Sequence, residues 1–327
     1  MKIIKRILKT ILILSLMGIV YSFFFTTYEH FKVNKMINDF KKRGDIKNAL
    51  IIDVSKNGLS YKRRYVNVPR ETKHEINDKR NVFYDNDKNQ LGMDGDIFVT
   101  RKSPFPEKFL IHQFVSYYYG GHAALLHYKN DRQYFIESTG FPDWESESLF
   151  DYIFHKGYGD HDLTSTVYET GYNSWQTPRS GNYYYDYFYR DKYIGLRPVN
   201  LFSDLDNSDE LYNEYIEEAI NMAKLKVENE HLYNFLFFLN MKNKYYCTDL
   251  MGRVYEEAYE RVFNEKEGYH SKGYAKKMND DGFITSVNDL ILSKDTFIHF
   301  YVEINEEVID GVKTIVESIY YLEDVEW

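Results

Sequence analysis

The chain of 327 residues has a single cysteine, at position 247, and only six prolines. One cysteine excludes a disulfide framework and any zinc site built from several cysteines. The sequence contains no G-x-x-x-x-G-K-[ST] phosphate loop and no repeat with a period of about 20–50 residues. The formal net charge of −9 argues against nucleic acid as the main partner, because nucleic-acid binding favours a basic face.

Aromatic residues are abundant, since phenylalanine, tryptophan and tyrosine make up 18% of the chain. This content excludes a disordered chain, because burial of so much apolar surface offsets the conformational entropy lost on folding. Helical periods and strand-like alternation both occur, so the sequence predicts an α+β fold. The predicted strands are residues 97–99, 122–128, 133–137, 193–199 and 297–304, and the predicted helices are about 103–119, 209–227 and 246–263.

Residues 1–27 predict a membrane anchor, a single transmembrane helix. An uncharged, mostly apolar run at 10–25 is preceded by four basic residues, Lys2, Lys5, Arg6 and Lys9. With Ile7 and Leu8 the run is about 19 residues long, or roughly 28 Å as a helix, which matches the hydrocarbon core of a bilayer. The basic end should stay in the cytoplasm, which places the residues after the run outside the cell membrane. The alternative is a protein secreted after signal cleavage, although the run ends without the small residues of a cleavage site.

The regions on either side of the main domain are interpreted as accessory. Residues 28–90 are polar and charged, and they predict a juxtamembrane stalk or linker. Two strand-like segments within it, 49–54 and 61–68, flank Lys56-Asn57-Gly58 and predict a hairpin. Residues 305–327 are interpreted as a C-terminal tail.

The main domain is interpreted as residues 91–304, with an irregular, tyrosine-rich insertion at 141–190. Aromatic residues of this insertion are candidates for a substrate groove, because they stack on sugars or pack on acyl chains. The candidate groove residues are Trp175 and Tyr185, together with Tyr246 ahead of the cysteine. The alternative is that these aromatic side chains only cover the core.

Cys247 is the candidate nucleophile. It precedes Thr248-Asp249-Leu250-Met251, which opens an amphipathic helix. A cysteine in the first helical turn lies beside unpaired backbone N–H groups and the positive end of the helix dipole. These groups favour a thiolate and can donate hydrogen bonds to an oxyanion. The alternative is a small, buried and unreactive core residue.

A thiolate nucleophile needs a base, and His122 is the candidate. It opens a predicted strand after Gly120-Gly121, whereas His127 points to the other face of that strand. If the next strand folds back in a hairpin about Asn130, Glu137 lies directly opposite His122. Its carboxylate would then hold the imidazole in the required tautomer. The alternatives are a structural or surface histidine and a solvent-facing glutamate.

Several short segments resemble, in chain order, the circularly permuted NlpC/P60 (papain-like) cysteine hydrolases of the YiiX/YebB type. The segments are Gly95-Asp96-Ile97-Phe98, Gly121-His122-Ala123-Ala124-Leu125, Phe135-Ile136-Glu137-Ser138, Gly195-Leu196-Arg197-Pro198, Tyr245-Tyr246-Cys247-Thr248-Asp249-Leu250 and Ile284-Thr285-Ser286-Val287-Asn288-Asp289-Leu290. The resemblance implies His122 as base, Glu137 as orienting group and Cys247 as nucleophile. It also implies a papain-like α+β core in which an antiparallel sheet packs against the helix that carries the nucleophile.

The expected function is that of an outward-facing cysteine hydrolase that cleaves an amide through an acyl-enzyme. A cell-wall (peptidoglycan) peptide is the expected substrate. A lipid or ester hydrolase and an acyltransferase would use the same triad, and a surface binding module with an inert cysteine is the non-enzymatic alternative. No cofactor or metal is expected, because the spacing of His155, Asp160, His161 and Asp162 fits no ligand pattern. The oligomeric state stays open.

Overall fold

The structure, a computed structural model, describes residues 2–102, 109–157, 163–178, 187–237, 241–264 and 285–325. These residues form an α+β protein built on one large mixed sheet. Its nine described strands lie in the order β1 (Leu50–Lys56), β2 (Leu59–Val68), β11 (Val312–Leu322), β10 (Thr296–Ile309), β7 (Lys192–Pro198), β3 (Ile97–Thr100), β4 (His122–Lys129), β5 (Arg132–Ser138) and β6 (Val167–Thr170). Neighbouring strands are antiparallel except for β2 and β11, which are parallel. Two short strands, β8 (Leu232–Tyr233) and β9 (Lys244–Tyr245), pair separately.

The described helices are α1 (Lys2–Arg43), α2 (Lys73–Asn77), α3 (Phe109–Tyr118), α4 (Leu149–Phe154), α5 (Ser208–Glu228), α6 (Cys247–Asn264) and α7 (Val287–Leu292). Helix α5 buries one stripe of apolar residues, as its sequence period predicts, and packs against α6. Helix α6 in turn packs across β4 and β5. This packing brings the start of α6, where Cys247 lies, to the strands that carry His122 and Glu137.

The predicted hairpin in residues 49–68 is confirmed, because β1 and β2 pair through a turn at Asn57 and Gly58. It is not a separate stalk, however, since β2 pairs with β11 from the expected C-terminal tail. The strand predicted to end at Ile304 continues further and turns into β11 at Asp310. Segments on both sides of the expected main domain therefore complete its sheet. Because the two strands lie near opposite ends of the chain, no local sequence pattern predicts that they pair.

The segment at 70–90, expected to be a linker, is fixed to the sheet by buried charges. Arg197 on β7 is fully buried and donates two hydrogen bonds of 2.8 Å to Asp96, which precedes β3. A third hydrogen bond of 2.7 Å reaches Asp78 in the segment. Two of the segments that carry the family resemblance therefore meet in an ion pair that stabilises the sheet, away from the candidate catalytic residues.

Helix α1 has two parts. Residues 3–21 are exposed, and the most apolar 18-residue window of the helix has a mean hydropathy of 2.1. This part is long and apolar enough to cross a membrane, which fits an anchor or a signal sequence. The C-terminal part buries Val33, Ile37 and Phe40 and packs on α7, β2 and β10. The polar residues after the apolar run therefore continue the same helix to Arg43 and join it to the domain.

The described parts of the insertion at 141–190 contain regular structure that its composition did not indicate. Helix α4 begins after Ser148, which forms a capping box with Asp151. Strand β6 pairs with β5 and extends the sheet on the side of Glu137.

Candidate active site

Cys247 is the first residue of α6, in agreement with the predicted helix start. Two hydrogen bonds fix the preceding residues. The Ser138 hydroxyl at the end of β5 donates to the Tyr245 carbonyl oxygen at 2.7 Å, and the Tyr246 hydroxyl accepts from the Thr285 backbone N–H at 2.9 Å. The thiol side chain is half-buried, so it is held by its surroundings and still accessible from the adjoining cavity.

The backbone around two glycines determines where His122 lies. Gly120 has a φ of +81°, in the left-handed region that favours glycine. The Gly121 N–H donates to the Thr100 carbonyl oxygen at 3.0 Å, and a Cβ atom on Gly121 would lie 1.7 Å from the Lys102 carbonyl oxygen. No other residue fits there without a shift of the backbone. The chain can therefore pass close to β3 and begin β4 directly at His122.

Glu137 contacts His122, but the predicted register is wrong. The turn between β4 and β5 consists of two residues, Asn130-Asp131, and both have positive φ. Leu125 consequently pairs with Ile136, which leaves Glu137 two residues away from the position directly opposite His122. The two side chains share a face of the sheet as diagonal neighbours, a separation that long side chains can bridge.

The His122 ring hydrogen-bonds to the Glu137 carboxylate through Nε2, and both side chains are buried. A carboxylate only accepts, so Nε2–H donates to Oε2. Burial opposes a charge on His122, but Glu137 and the interaction with Cys247 outweigh it and raise the histidine pKa to about 9. Burial also opposes ionisation of Glu137, yet its pKa lies below the ordinary value because of His122 and, to a smaller extent, Arg190. The pair is therefore an imidazolium and a carboxylate at neutral pH, with Nδ1 left for the thiol.

Trp175 and Arg190 support the histidine from the side. Trp175 is only 1% exposed, and its ring lies parallel to that of His122 with centroids 6.0 Å apart. The Arg190 guanidinium lies 3.9 Å from the Trp175 ring centroid and donates to the Ser174 hydroxyl at 2.8 Å. Trp175 therefore packs against the catalytic candidate and does not form a groove, which differs from the sequence expectation. Sequence reasoning did not select Arg190, since no local motif connects it with Glu137.

A cavity of about 140 Å³ adjoins Cys247 and His122. Its described wall is mainly aromatic and consists of Tyr119, Phe141, Tyr233, Phe235, Phe237 and Tyr246, with small residues from the end of β5. Of the predicted groove residues, Tyr246 lines this cavity, whereas Tyr185 lies outside the described residues. Hollows of about 530 and 510 Å³ lie beside α2 and α1, but neither contains the thiol, so volume alone does not locate the chemistry.

His127 lies on the opposite face of β4, as predicted, where its Nε2 contacts Glu169 at 2.7 Å. It forms a second histidine–glutamate pair that takes no part in the candidate site. Within the part of the chain that the structure describes, no group of three or more His, Cys, Asp or Glu residues is arranged to hold a metal ion. Asp160, His161 and Asp162 from the loose cluster in the sequence lie outside that part.

No protein-family profile matches the chain, and no curated protein and no solved structure matches it either. The geometry and charge of Cys247, His122 and Glu137 therefore carry what can be inferred about its function.

Proposed function

We propose that the chain is a membrane-anchored cysteine hydrolase that cleaves an acyl bond through a covalent acyl-enzyme. Cys247 is the nucleophile, His122 carries the proton, and Glu137 orients and charges the histidine. The observation that carries this proposal is the buried His122–Glu137 ion pair beside the only thiol of the chain. A binding module with an inert cysteine would have no need to stabilise an imidazolium at that position.

In the proposed reaction the Cys247 sulfur attacks the carbonyl carbon, and the carbonyl electron pair moves to oxygen. Backbone N–H groups at the start of α6 are the candidate donors to this oxyanion. His122 gives its proton to the leaving nitrogen or oxygen, and the intermediate collapses to a thioester. Water then attacks the thioester carbon while His122 takes its proton, and the C–S bond breaks, which releases the acid and frees the Cys247 sulfur.

The fold that we propose is the circularly permuted papain-like one. The chain order of His122, Glu137 and Cys247 supports it, and so does the packing of α6 across β4 and β5. The basic residues ahead of the apolar part of α1 favour a cytoplasmic N-terminus and an extracytoplasmic catalytic domain. An amide of a cell-wall peptide, a lipid ester or transfer to an acyl acceptor would all use these three side chains. The aromatic cavity wall favours an apolar acyl group.

The proposal is tested with the full chain in lipid nanodiscs. Turnover of short-chain thioesters, N-acyl amides and cell-wall peptides is measured for the wild type, Cys247→Ala and Cys247→Ser. We expect both variants to lose at least about a thousandfold in kcat/KM, because the nucleophile is absent or poorly activated. His127→Asn is the matched control and should keep wild-type turnover. Equal turnover by Cys247→Ala and the wild type would overturn the proposal.

A further inference from the structure

We propose that α3 and the adjoining part of α1 rest on the bilayer, and that the catalytic cavity takes a lipid acyl group from that bilayer. The part of this inference that concerns the substrate rests on the proposed hydrolase function. The occupant of the exposed α3 surface is thus the membrane itself, and the substrate class is an acyl lipid with an ester or amide bond.

Helix α3 exposes apolar side chains that no described part of the domain covers. Its ten residues, Phe109–Tyr118, include no Asp, Glu, Lys or Arg. Leu110 is 78% exposed and Phe114 is 55% exposed. An uncharged helix with large apolar residues facing outwards is typical of a surface that lies in a membrane interface.

Contacts with α1 place this helix at the end of the membrane-spanning run. The Tyr117 ring stacks on Phe23 with centroids 5.3 Å apart, and the Tyr117 hydroxyl donates to the Phe23 carbonyl oxygen at 2.9 Å. The Tyr117 carbonyl oxygen accepts from His30 at 2.8 Å. Phe23 belongs to the apolar run, whereas His30 lies beyond it. Tyr117 therefore lies at the level where tyrosines commonly mark the boundary between bilayer and water.

Helix α1 also runs across neighbouring strands of the sheet, so its contacts indicate how far each strand lies from the bilayer. Lys41 contacts Glu303 on β10 at 2.5 Å, and Asn34 contacts Arg101, directly after β3, at 2.5 Å. The seven residues from Lys41 to Asn34 cover about 10 Å of helix. That length equals the roughly 10 Å between strands two positions apart, which is the separation of β10 and β3. Towards its N-terminus α1 therefore proceeds in the direction of β4 and β5.

The same spacing locates the candidate active site. From Asn34 to Phe25, where the apolar run ends, α1 covers about 14 Å. Strands β4 and β5 lie about 5 and 10 Å beyond β3. The strands that carry His122 and Glu137 are consequently within about two helical turns of the bilayer surface.

An aromatic path links α3 with the cavity. The rings of Phe114 and Tyr119 lie 5.9 Å apart, and those of Tyr119 and Phe237 lie 4.6 Å apart. Tyr119 and Phe237 both line the cavity, and its described lining includes no Asp, Glu, Lys or Arg. Such a wall suits an acyl chain better than a charged peptide, because buried charges need partners. The exposed surface, the depth and the lining thus favour the same substrate class.

Docking is tested without any enzymatic readout. Phe114→Trp in the full chain is placed in nanodiscs whose lipids carry bromine on the acyl chains near the headgroup. Ile51→Trp, on the opposite edge of the sheet and 45% exposed in the parent, is the matched control. We expect the added emission of Phe114→Trp to be quenched at least threefold more than that of the control. Equal quenching would overturn the docking surface.

The substrate class is tested with two substrates, a long-chain acyl lipid in the nanodisc and a soluble short-chain thioester. We expect Leu110→Glu to lower the ratio of lipid turnover to thioester turnover at least tenfold, and Ile51→Glu to leave that ratio unchanged. Turnover of the thioester without turnover of the lipid would overturn the substrate class alone. Absence of Cys247-dependent turnover of both substrates would overturn the proposed hydrolase, while the quenching result would still decide the docking surface.

Discussion

Glu137→Gln removes the charge that stabilises protonated His122 and keeps the size of the side chain. In the wild type, the carboxylate accepts from Nε2, and His122 also interacts with the Cys247 side chain. The amide can still accept a hydrogen bond, so the ring is held in place but loses its charged partner. The substitution therefore separates the effect of the Glu137 charge from the effect of holding the His122 ring in position.

The expected size of the effect follows from the charge balance at His122. Burial opposes the imidazolium, yet Glu137 and Cys247 raise its pKa to about 9 from the ordinary 6.5. This difference corresponds to about 3 kcal/mol in favour of the protonated ring. Without the carboxylate, burial dominates, the His122 ring is largely neutral, and no cation then lies beside the Cys247 sulfur. We expect alkylation of Cys247 near pH 6 to slow by about one to two orders of magnitude.

The assay is the pH profile of iodoacetamide alkylation, which reports on one site because Cys247 is the only cysteine. Glu169→Gln is the matched control, because Glu169 contacts His127 on the other face of β4. The wild type and the control should react readily below neutral pH, whereas Glu137→Gln should lose that reactivity. Superimposable profiles for Glu137→Gln and the wild type would refute the charge-pair argument.

Three further predictions concern stability, measured by denaturant unfolding. The free energy of unfolding of the wild type should exceed that of Glu137→Gln most between about pH 4.5 and 6.5. The raised His122 pKa stabilises the folded protein below the unfolded histidine pKa, and the lowered Glu137 pKa stabilises it above the unfolded carboxyl pKa. The difference should fade as the pH rises through 9, and a difference that is constant with pH would contradict the prediction. Gly121→Ala should lower the free energy of unfolding by more than about 3 kcal/mol, since its Cβ would lie 1.7 Å from the Lys102 carbonyl oxygen. Gly311→Ala, in a turn with open space, should lower it by only about 1–2 kcal/mol. Similar losses of stability in the two variants would contradict the predicted clash. Arg197→Met should cost about 3–5 kcal/mol by leaving buried carboxylates unpaired, and a neutral effect would show that the ion pair contributes little.

Local patterns predicted the elements that carry the candidate site. Alternation identified the strands that begin at His122 and end near Glu137, and helical period identified the helix that begins at Cys247. Whether the side chains of His122 and Glu137 share a face depends on the register, because a slip of one residue turns the side chains of a strand to the opposite face. The register could not be predicted, since it depends on which residues form the turn, and positive φ at both Asn130 and Asp131 places the two-residue turn there.

Features that depend on distant segments escaped prediction. The pairing of β2 with β11 joins residues expected to be a stalk with residues expected to be a tail. The sequence of neither strand indicates which other strand it pairs with. Trp175 was a candidate for a substrate groove, with coverage of the core as the alternative, and it packs beside His122. The exposed apolar face of α3 could not be predicted either, because its exposure depends on how the rest of the chain packs around the helix.

Detection of the acyl-enzyme tests the central claim most directly. The full chain in nanodiscs is mixed with a short-chain thioester, quenched in acid within seconds and examined by intact-protein and peptide mass spectrometry. We expect a mass increase of one acyl group on the peptide that contains Cys247, and no increase in Cys247→Ala. Substrate turnover without an adduct at Cys247, or an equal adduct in Cys247→Ala, would contradict the proposed mechanism.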